Sequence, residues 1–317
     1  MTKSNKPLKD HIRPFLEYLD IERGLSVKTQ ETYLRLLSSF EKWLKKNNLE
    51  NILPHELTDK NIWDYRVYLS QRINPATNQP LKKTSQNYHL IALRSFLMFL
   101  MDKDIQSYPP EKIKLTKISL SDRPIKFLNL EQIKKLLDSP NTSTIQGLRD
   151  RAILETFFST GLRISELTSL NVEQIKITNT QDDLELVIVG KGNRPRPVYL
   201  SPRALKALSE YLSTRKDKEK ALFINYKGPK NADKRLTPRS VENIVKKYSK
   251  IAGLPSFTVP HSIRHSFATN LLSQGVDLRE IQEFLGHKSI GTTQIYASVT
   301  NKRLKDIHRK FHNKSLE

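Results

Sequence analysis

The chain has 317 residues, which is enough for two domains of ordinary size. Its 54 lysines and arginines exceed its 33 aspartates and glutamates to give a net charge of +21, which favours nucleic acid as the partner, then an anionic membrane, over a merely soluble basic protein. The chain has no cysteine, which excludes disulfides, thiolate metal sites and a cysteine nucleophile.

The sequence shows neither a membrane span nor an export signal. No apolar run approaches membrane-spanning length, and the N-terminal MTKSNKPLKD lacks the apolar segment of a signal peptide. We therefore expect a soluble, cytoplasmic protein without a membrane partner. Basic residues outnumber acidic ones on both sides of residue 110, so both halves are expected to face the same polyanion.

The first hundred residues have the apolar spacing of helices. Ser26 is placed to cap the first clearly amphipathic helix. Further helices are predicted over residues 57–69 and 85–101, and the polar, proline-containing residues 74–83 are predicted to form a loop. The apolar face of the helix capped by Ser26 comprises Tyr33, Leu37, Phe40 and Leu44.

The helical pattern fails between residues 105 and 124. Pro109 and Pro110 resist helix and favour extended chain, and the basic sequence that follows them has no helical face. We place an interdomain linker here, with a long surface loop as the alternative. The predicted division is a helical domain over residues 1–107, a linker over 108–125 and a second domain over 126–317.

The second domain is predicted to be mainly α with a small antiparallel β-sheet. Asn129 and Gln132 form a capping-box pattern, and helix continues with interruptions to about residue 170. Over residues 184–200 the apolar spacing changes from that of a helix to that of a strand. The β-branched residues, the Gly-Asn turn and the PVYL that follows it predict a β-hairpin. Further helix starts are predicted at Thr237-Pro238, at Pro260 with an end before Gly275, and at the capping box of Asp277 and Glu280.

His261 and Arg264 are the first candidate site residues. They lie three apart just inside a predicted helix start, so they share a face where free N–H groups and the helix dipole favour a phosphate. Two surface side chains are the alternative for such a pair alone. His265 lies four residues after His261, as in zinc helices, but the chain has no cysteine and no His-Glu-x-x-His to support zinc.

Arg163 and Lys191 supply two further cations. The Arg163 guanidinium is a planar fork that can hold two phosphate oxygens, and Glu166 is placed to orient it, although alone this is an ordinary helical ion pair. Lys191 lies at the tip of the predicted hairpin, where it can give a proton to a leaving oxygen. A solvated turn lysine is the alternative.

His287 and Tyr296 complete the set. A phenol has a pKa of about 10, so it attacks at neutral pH only with help from a base or nearby cations. One tyrosine among 11 is usually structural, but Tyr296 follows Arg163, Lys191 and the other candidates within about 130 residues. The set is suited to attack on a phosphodiester, and a tyrosine nucleophile leaves a covalent bond, which favours a DNA strand-transfer enzyme over a simple nuclease.

Three stretches together resemble the tyrosine recombinase (λ-integrase) family, and most closely its Xer subgroup. They are STGLRISEL, VGKGNRPRPVYL and PHSIRHSFATNLLSQGVDLREIQEFLGHKSIGTTQIYASV, and the last is the most specific. The N-terminal FLEYLDIERGLSVKTQETYLRLLSSF is similar to the helical, SAM-like core-binding domain of Xer proteins. The resemblance implies two domains that form a C-shaped clamp around DNA, and it implies chemistry without metal, nucleotide or other cofactor.

The resemblance also implies the role of each candidate. Tyr296 would form a 3′-phosphotyrosyl bond while Arg163 and Arg264 hold the non-bridging oxygens. Lys191 would protonate the 5′-oxygen and His261 would be the base for the tyrosine. The remaining roles, phosphate ligand and supporting residue, would fall to His287 and Glu166.

The expected partner is a double-stranded DNA recombination site. Candidate DNA contacts are Lys82, Lys83, Gln86, Arg239, Lys246 and Lys247. The resemblance implies a homo- or hetero-tetramer in which an amphipathic tail at Leu304, Ile307 and Phe311 is donated to a neighbour, with folding back on its own domain as the alternative. An accessory activator protein is a further expectation.

The implied function is resolution of chromosome or plasmid dimers, and with it a place in chromosome partition and cell division. The nearest rival is a mobile-element integrase with the same chemistry. A sequence-specific DNA-binding protein without catalysis is a rival of another class. It accounts for the charge and the helices but not for the ordered set of six residues.

Overall fold

The computed structural model describes residues 1–75, 77–117, 126–176, 184–190, 195–227, 229 and 233–286. The chain divides into two compact units, Met1–Leu120 and Ser121–Glu317. In the described ranges both units are mostly helical and each has one two-stranded antiparallel sheet, which confirms the predicted fold class. None of the helices found there is long and apolar enough to cross a bilayer.

The first unit follows the predicted helices closely. The expected helices at 57–69 and 85–101 are both present, with bounds moved by one or two residues. The predicted loop at 74–83 contains a short ribbon instead, which turns back through Asn78 in the left-handed region at φ 50°. The elements are α1 Ile12–Ile21, α2 Val27–Lys46, α3 Asp59–Gln71, β1 Ile73–Asn74, β2 Gln79–Pro80 and α4 Lys83–Asp102.

Aromatic side chains fill the core of the first unit. The Phe15 ring lies 5.5 Å from that of Phe96 and 5.7 Å from that of Tyr33, between centroids, in edge-on arrangements that favour aromatic pairs. Ser26 is the N-cap residue of α2, as expected, but its hydroxyl contacts the Thr29 hydroxyl and not a backbone N–H. The buried face of α4 includes Leu90, Leu93, Leu97 and Leu100.

The chain after α4 packs against the first unit. Tyr108 and Ile113 are buried in its core, and the Asn87 side chain bonds to both the N–H and the carbonyl of Thr116. The described part of the expected linker is therefore attached to the first unit. Residues 118–125 lie outside the described ranges, and the linker stays a prediction.

Predicted caps begin several helices of the second unit. The side chains of Asn129, Thr237 and Asp277 each accept a hydrogen bond from a backbone N–H in the first turn of the helix that follows. The sequence did not predict the helix α8. The elements are α5 Leu130–Asp138, α6 Ile145–Thr160, α7 Ile164–Ser169, β3 Leu184–Val189, β4 Pro195–Leu200, α8 Pro202–Ser213, α9 Pro238–Ile251, α10 Pro260–Gln274 and α11 Leu278–Leu285.

Helix α6 is central to the second unit, where it lies against α5, α8 and α10. It ends at Gly161, whose φ of 58° lies in the left-handed region. A Cβ at this position would also lie 2.5 Å from the Phe267 ring, so both the backbone conformation and the close packing require glycine. This turn sets the direction in which the chain enters α7.

Strands β3 and β4 form the predicted hairpin, in the register Leu184↔Leu200 to Val189↔Pro195. Alternate residues of β4 face the core: Arg196, Val198 and Leu200 are buried, and their neighbours are exposed. Two of the three inward residues are apolar, and the third is an arginine. That arginine belongs to the site described next.

Candidate active site

The turn between α6 and α7 positions Arg163. Arg163 is the N-cap residue of α7 and has an extended backbone. Its backbone N–H donates to Oε2 of Glu166 at 2.7 Å, and its Nη1 donates to Oε1 of the same carboxylate at 2.9 Å. Glu166 thus holds both the main chain and the guanidinium of Arg163.

Helix α10 carries Arg264 and His261 on adjacent turns. Arg264 is almost fully buried, and its guanidinium donates to the Gly161 carbonyl at 2.5 Å and the Leu285 carbonyl at 2.6 Å. His261, at the start of the helix, keeps only part of its surface in solvent. Arg264 therefore joins α10 to the ends of α6 and α11.

The surroundings of His261 favour the neutral form of its imidazole. Partial burial and then the charges of Arg264 and Arg163 lower its pKa below the ordinary value. His265 packs edge-on against it with ring centroids 4.2 Å apart, and burial, followed by His261 and Arg264, lowers the pKa of His265 to about 4. No group of three His, Cys, Asp or Glu side chains that could hold a metal ion is found in the described part of the chain.

Three arginines cap the C-terminus of α11. The last carbonyls of a helix have no partner within it, so they need donors from elsewhere. Here the carbonyls of Phe284, Leu285 and Gly286 accept from Nε of Arg196 at 3.1 Å, Nη2 of Arg264 at 2.6 Å and Nη2 of Arg163 at 2.9 Å, respectively. Cations also suit the negative end of the helix dipole. The chain leaves this helix at the left-handed Gly286, one residue before His287.

Sequence reasoning missed Arg196. Its Nη1 and Nη2 donate to the two oxygens of Glu166 at 3.0 and 2.7 Å, and both side chains are more than nine-tenths buried. Burial alone would raise the pKa of Glu166, but the hydrogen bonds from Arg196 and Arg163 outweigh it and hold that pKa below its usual range. The signal was present in β4, where the alternation of PRPVYL places Arg196 on the face of Val198 and Leu200.

Four of the predicted site residues meet in this arrangement: Arg163 and Glu166 at α7, and His261 and Arg264 on α10. Two guanidinium groups and a neutral imidazole lie around one place, with Glu166 as the neighbouring carboxylate. Such a set can bind a phosphate and accept a proton beside it. Lys191, His287 and Tyr296 lie outside the described residues.

The candidate DNA contacts lie on both units. Lys82 and Lys83 are exposed at the start of α4, while the Gln86 amide donates to the Leu81 carbonyl at 2.7 Å. Lys247 is exposed, and its ammonium lies 3.0 Å from the Tyr248 hydroxyl. The other two candidates, Arg239 and Lys246, are also exposed on α9, and the former pairs with Glu242 at 2.8 Å.

Comparison with known proteins gives the class. The chain matches the Phage integrase family over residues 126–303 and the N-terminal SAM-like domain of phage integrases over residues 12–104. It therefore belongs to the phage integrase family, and it is a tyrosine site-specific recombinase.

The relatives narrow the class to the Xer recombinases. Tyrosine recombinase XerD of Listeria monocytogenes serovar 1/2a is 36% identical over 317 residues, which cover 96% of this chain and 99% of that protein. Tyrosine recombinase XerC of Syntrophus aciditrophicus is 34% identical, with 96% and 97% covered. The structure of XerH site-specific recombinase bound to difH substrate has the same fold, with a TM-score of 0.73 at 22% identity over 93% of this chain and 95% of that one. These findings confirm the resemblance to the Xer subgroup.

Proposed function

We propose that this recombinase cleaves DNA with Tyr296 and holds the broken end as a 3′-phosphotyrosyl bond. The observation that carries the proposal is that Arg163 and Arg264 bind the Gly286 and Leu285 carbonyls, from which the chain continues towards His287 and Tyr296. The charges of both arginines also act on His261 and lower its pKa. The order of these residues along the chain is also that of the family. The contacts of these side chains and their order along the chain thus both support the proposal.

The proposed reaction assigns each side chain to an atom. The Tyr296 oxygen attacks the scissile phosphorus and its proton passes to His261, whose lowered pKa keeps the ring neutral and able to accept it. Arg163 and Arg264 bind the non-bridging oxygens, where each donor lost costs on the order of 10²–10³ in rate. A guanidinium has five N–H groups, so it can hold backbone carbonyls and a phosphate at the same time.

The leaving group completes the balance of the step. The P–O bond to the 5′-oxygen breaks, and Lys191 gives that oxygen its proton. His287 is assigned as a further phosphate ligand. The 5′-hydroxyl of a partner strand then attacks the phosphotyrosine and gives its proton to Lys191, while His261 returns a proton to the released Tyr296 oxygen. This re-forms a phosphodiester without ATP, because the bond energy was kept in the phosphotyrosyl bond.

We propose that both units bind the recombination site through basic surfaces. The net charge of +21 favours DNA, and exposed lysines and an arginine are present on α4 and α9. Contacts of this kind to phosphates position the protein, and base contacts specify the sequence. The proposed assembly is a tetramer joined by the C-terminal tail, with an accessory protein to activate it in the cytoplasm.

The proposed role in the cell is the resolution of chromosome or plasmid dimers. The support is the identity of 34% or more, over almost the whole chain, to proteins named XerD and XerC. Integration of a mobile element is the second candidate, because the integrase of transposon Tn1549 bound to circular intermediate DNA shares the fold at a TM-score of 0.61. Mapping the bound sequence in the host chromosome separates the two.

A nicked suicide substrate tests the nucleophile. We expect the wild type to form a protein–DNA adduct that survives denaturation, and Tyr296→Phe to form none. Tyr226→Phe, at a partly exposed tyrosine of the same unit, is the matched control and is expected to form the adduct normally. An adduct that persists in Tyr296→Phe would contradict the assignment, and no adduct in the wild type would favour the non-catalytic DNA-binding protein.

A further inference from the structure

Arg196 occupies an unusual place for a charged side chain. It lies on the inward face of β4, is 8% exposed, and continues the row of Val198 and Leu200. Burying a charge is costly unless it is paired and hydrogen-bonded. Its guanidinium meets this condition with bonds to both oxygens of Glu166 and to the Phe284 carbonyl. An apolar residue would fill the same face at no such cost, so the arginine needs another explanation.

The three bonds of Arg196 join parts that are distant in sequence. Glu166 is 30 residues away and is also the residue that holds Arg163. Phe284 is 88 residues away and begins the run of three carbonyls at the end of α11. Arg163 and Arg264 bind the next two carbonyls of that run. One guanidinium thus connects the hairpin, the α7 carboxylate and the helix end that leads to His287.

We propose that Arg196 is a positioning residue for strand cleavage. It fixes Glu166, and through it Arg163, relative to the C-terminus of α11, the helix end from which the chain continues to His287 and Tyr296. The inference rests on the proposed function, because it assigns Arg196 to the geometry of that reaction. Arg196 itself touches neither the phosphate nor the nucleophile in this scheme.

The close approach at Gly286 supports the same role. A Cβ at Gly286 would lie 2.9 Å from Cδ of Arg196 and 3.1 Å from its Nε, closer than ordinary side-chain contacts allow. The backbone of residue 286 therefore rests directly on the Arg196 side chain. The position next to His287 is thus sensitive to where this guanidinium lies.

The shape of the side chain explains why lysine is not expected to replace it. The guanidinium donates from Nε and from both terminal nitrogens in one plane, which lets it hold a carboxylate by two bonds and a carbonyl by a third. An ammonium offers its donors from one nitrogen atom. Lysine keeps the charge that neutralises Glu166 but loses the planar link to Phe284.

The first test is Arg196→Lys on the nicked suicide substrate at saturating DNA. We expect single-turnover cleavage to fall by about 10- to 100-fold, because small misplacements of reacting groups cost this much. The dissociation constant for uncleaved DNA should stay within about 2-fold, since phosphate contacts spread over the surface dominate affinity. Loss of rate without loss of affinity is the signature of positioning.

Arg215→Lys is the matched control. Arg215 is similarly buried, with its side chain 6% exposed, and it too binds a carboxylate, that of Asp217, together with the Ala221 and Leu222 carbonyls. None of these partners belongs to the candidate site. We expect Arg215→Lys to lower the melting temperature about as much as Arg196→Lys but to leave the cleavage rate unchanged. Equal loss of cleavage in both variants would overturn the proposal, because the effect would then follow stability alone.

A second pair of variants keeps the proposal testable if Arg196→Lys does not fold. Gly286→Ala adds a methyl group against Arg196, whereas Gly253→Ala has a similar positive φ of 64° and no atom within 4 Å of the added Cβ. Both substitutions place an alanine at a positive φ, but only the methyl group at position 286 contacts Arg196. We expect cleavage to slow in Gly286→Ala and not in Gly253→Ala.

The double variant Gly286→Ala with Arg196→Ala decides whether the methyl group acts through Arg196. If it does, the two losses of rate are less than multiplicative, because the contact is already gone. Fully multiplicative losses would overturn the proposal. Absence of an adduct in the wild type would instead refute the proposed function, whereas a normal wild-type adduct with full activity in Arg196→Lys refutes only this inference.

Discussion

The cores of the two units differ in the side chains that they bury. In the described part of the first unit the buried polar side chains are His11, Ser39 and Asn87, and the rest of the core is aliphatic and aromatic. The second unit has a comparable apolar core but also buries acidic and basic side chains. In the described part of that unit they include Arg149, Asp150, Glu155, Glu166, Arg196 and Arg264.

The two kinds of core serve different purposes: one stabilises a fold, and the other also fixes the positions of particular polar groups. Apolar packing is non-directional, so it stabilises the helices of the first unit without fixing any one donor or acceptor. Buried charges need partners at defined distances and angles, and they are costly when these are absent. Three of the buried charges in the described part of the second unit, Glu166, Arg196 and Arg264, lie at the candidate site. We therefore expect core changes in the first unit to affect stability and changes at these three residues to affect cleavage.

Phe96→Ala carries the largest expected effect on stability. The ring is fully buried and lies 5.5 Å from that of Phe15, so its removal leaves a cavity in the first unit. We expect the free energy of unfolding to fall by about 3–5 kcal/mol, measured by denaturant titration. Met98→Ala, at a residue 48% exposed on the same helix, is the control and should change little. A folded Phe96→Ala protein with a slowed cleavage step would break the contrast between the units.

Arg264→Lys carries the largest expected effect on the chemical step. Lysine keeps the charge but cannot reach both the Gly161 and Leu285 carbonyls in the geometry of the guanidinium. We expect single-turnover cleavage to fall by about 10²–10³-fold. Arg235→Lys is the control, because Arg235 also binds two backbone carbonyls, those of Thr168 and Leu170, outside the site. Equal loss in the control would mean that carbonyl bridging, and not the site, sets the rate.

The first unit was more readable from sequence than the site. Its helices follow from apolar spacing, which is a local property. In the second unit, α10 was likewise predicted from Pro260 to the residue before Gly275, as observed. The hairpin followed from β-branched alternation and turn chemistry. The ribbon β1–β2 and the helix α8 were missed, the first because two-residue strands give almost no pattern.

The site was predicted as a set of residues but not as a network. Motif spacing gave Arg163, Glu166, His261 and Arg264, because these residues share local stretches with recognisable chemistry. Arg196 bonds to Glu166, 30 residues away, and to Phe284, 88 residues away. A local sequence pattern cannot predict contacts between residues so far apart in the chain. The capping of α11 by three arginines is likewise a tertiary property. A charged residue on an inward strand face is the signal that marks such a network in advance.

A pair of histidines gives the smallest expected effect and the finest test of the contrast. The pKa of His89 in the first unit and of His265 in the second is lowered to about 4 in each case, in both by burial first. Arg72 and Arg35 add to the effect on His89, and His261 and Arg264 add to that on His265. Both histidines are thus neutral in the folded protein at neutral pH.

The sign of the pH effect on stability is the same for both. The folded pKa lies below the unfolded value of 6.5, so as pH falls the unfolded chain takes up the proton first. Stability is therefore full above pH 6.5 and declines as pH falls from there towards 4. His89→Gln and His265→Gln should each lose less stability over this window than the wild type, measured by denaturant unfolding at a series of pH values.

Only His265→Gln is expected to change the pH dependence of cleavage. The His265 ring packs against that of His261 at 4.2 Å, so its removal admits water to His261 and lets the pKa of the proposed base rise towards 6.5. The base must be neutral to act, so the acidic limb of the single-turnover profile should move to higher pH. His89 lies in the first unit, and an equal shift in His89→Gln would show that the limb reports unfolding. A shift confined to His265→Gln would assign the limb to the site.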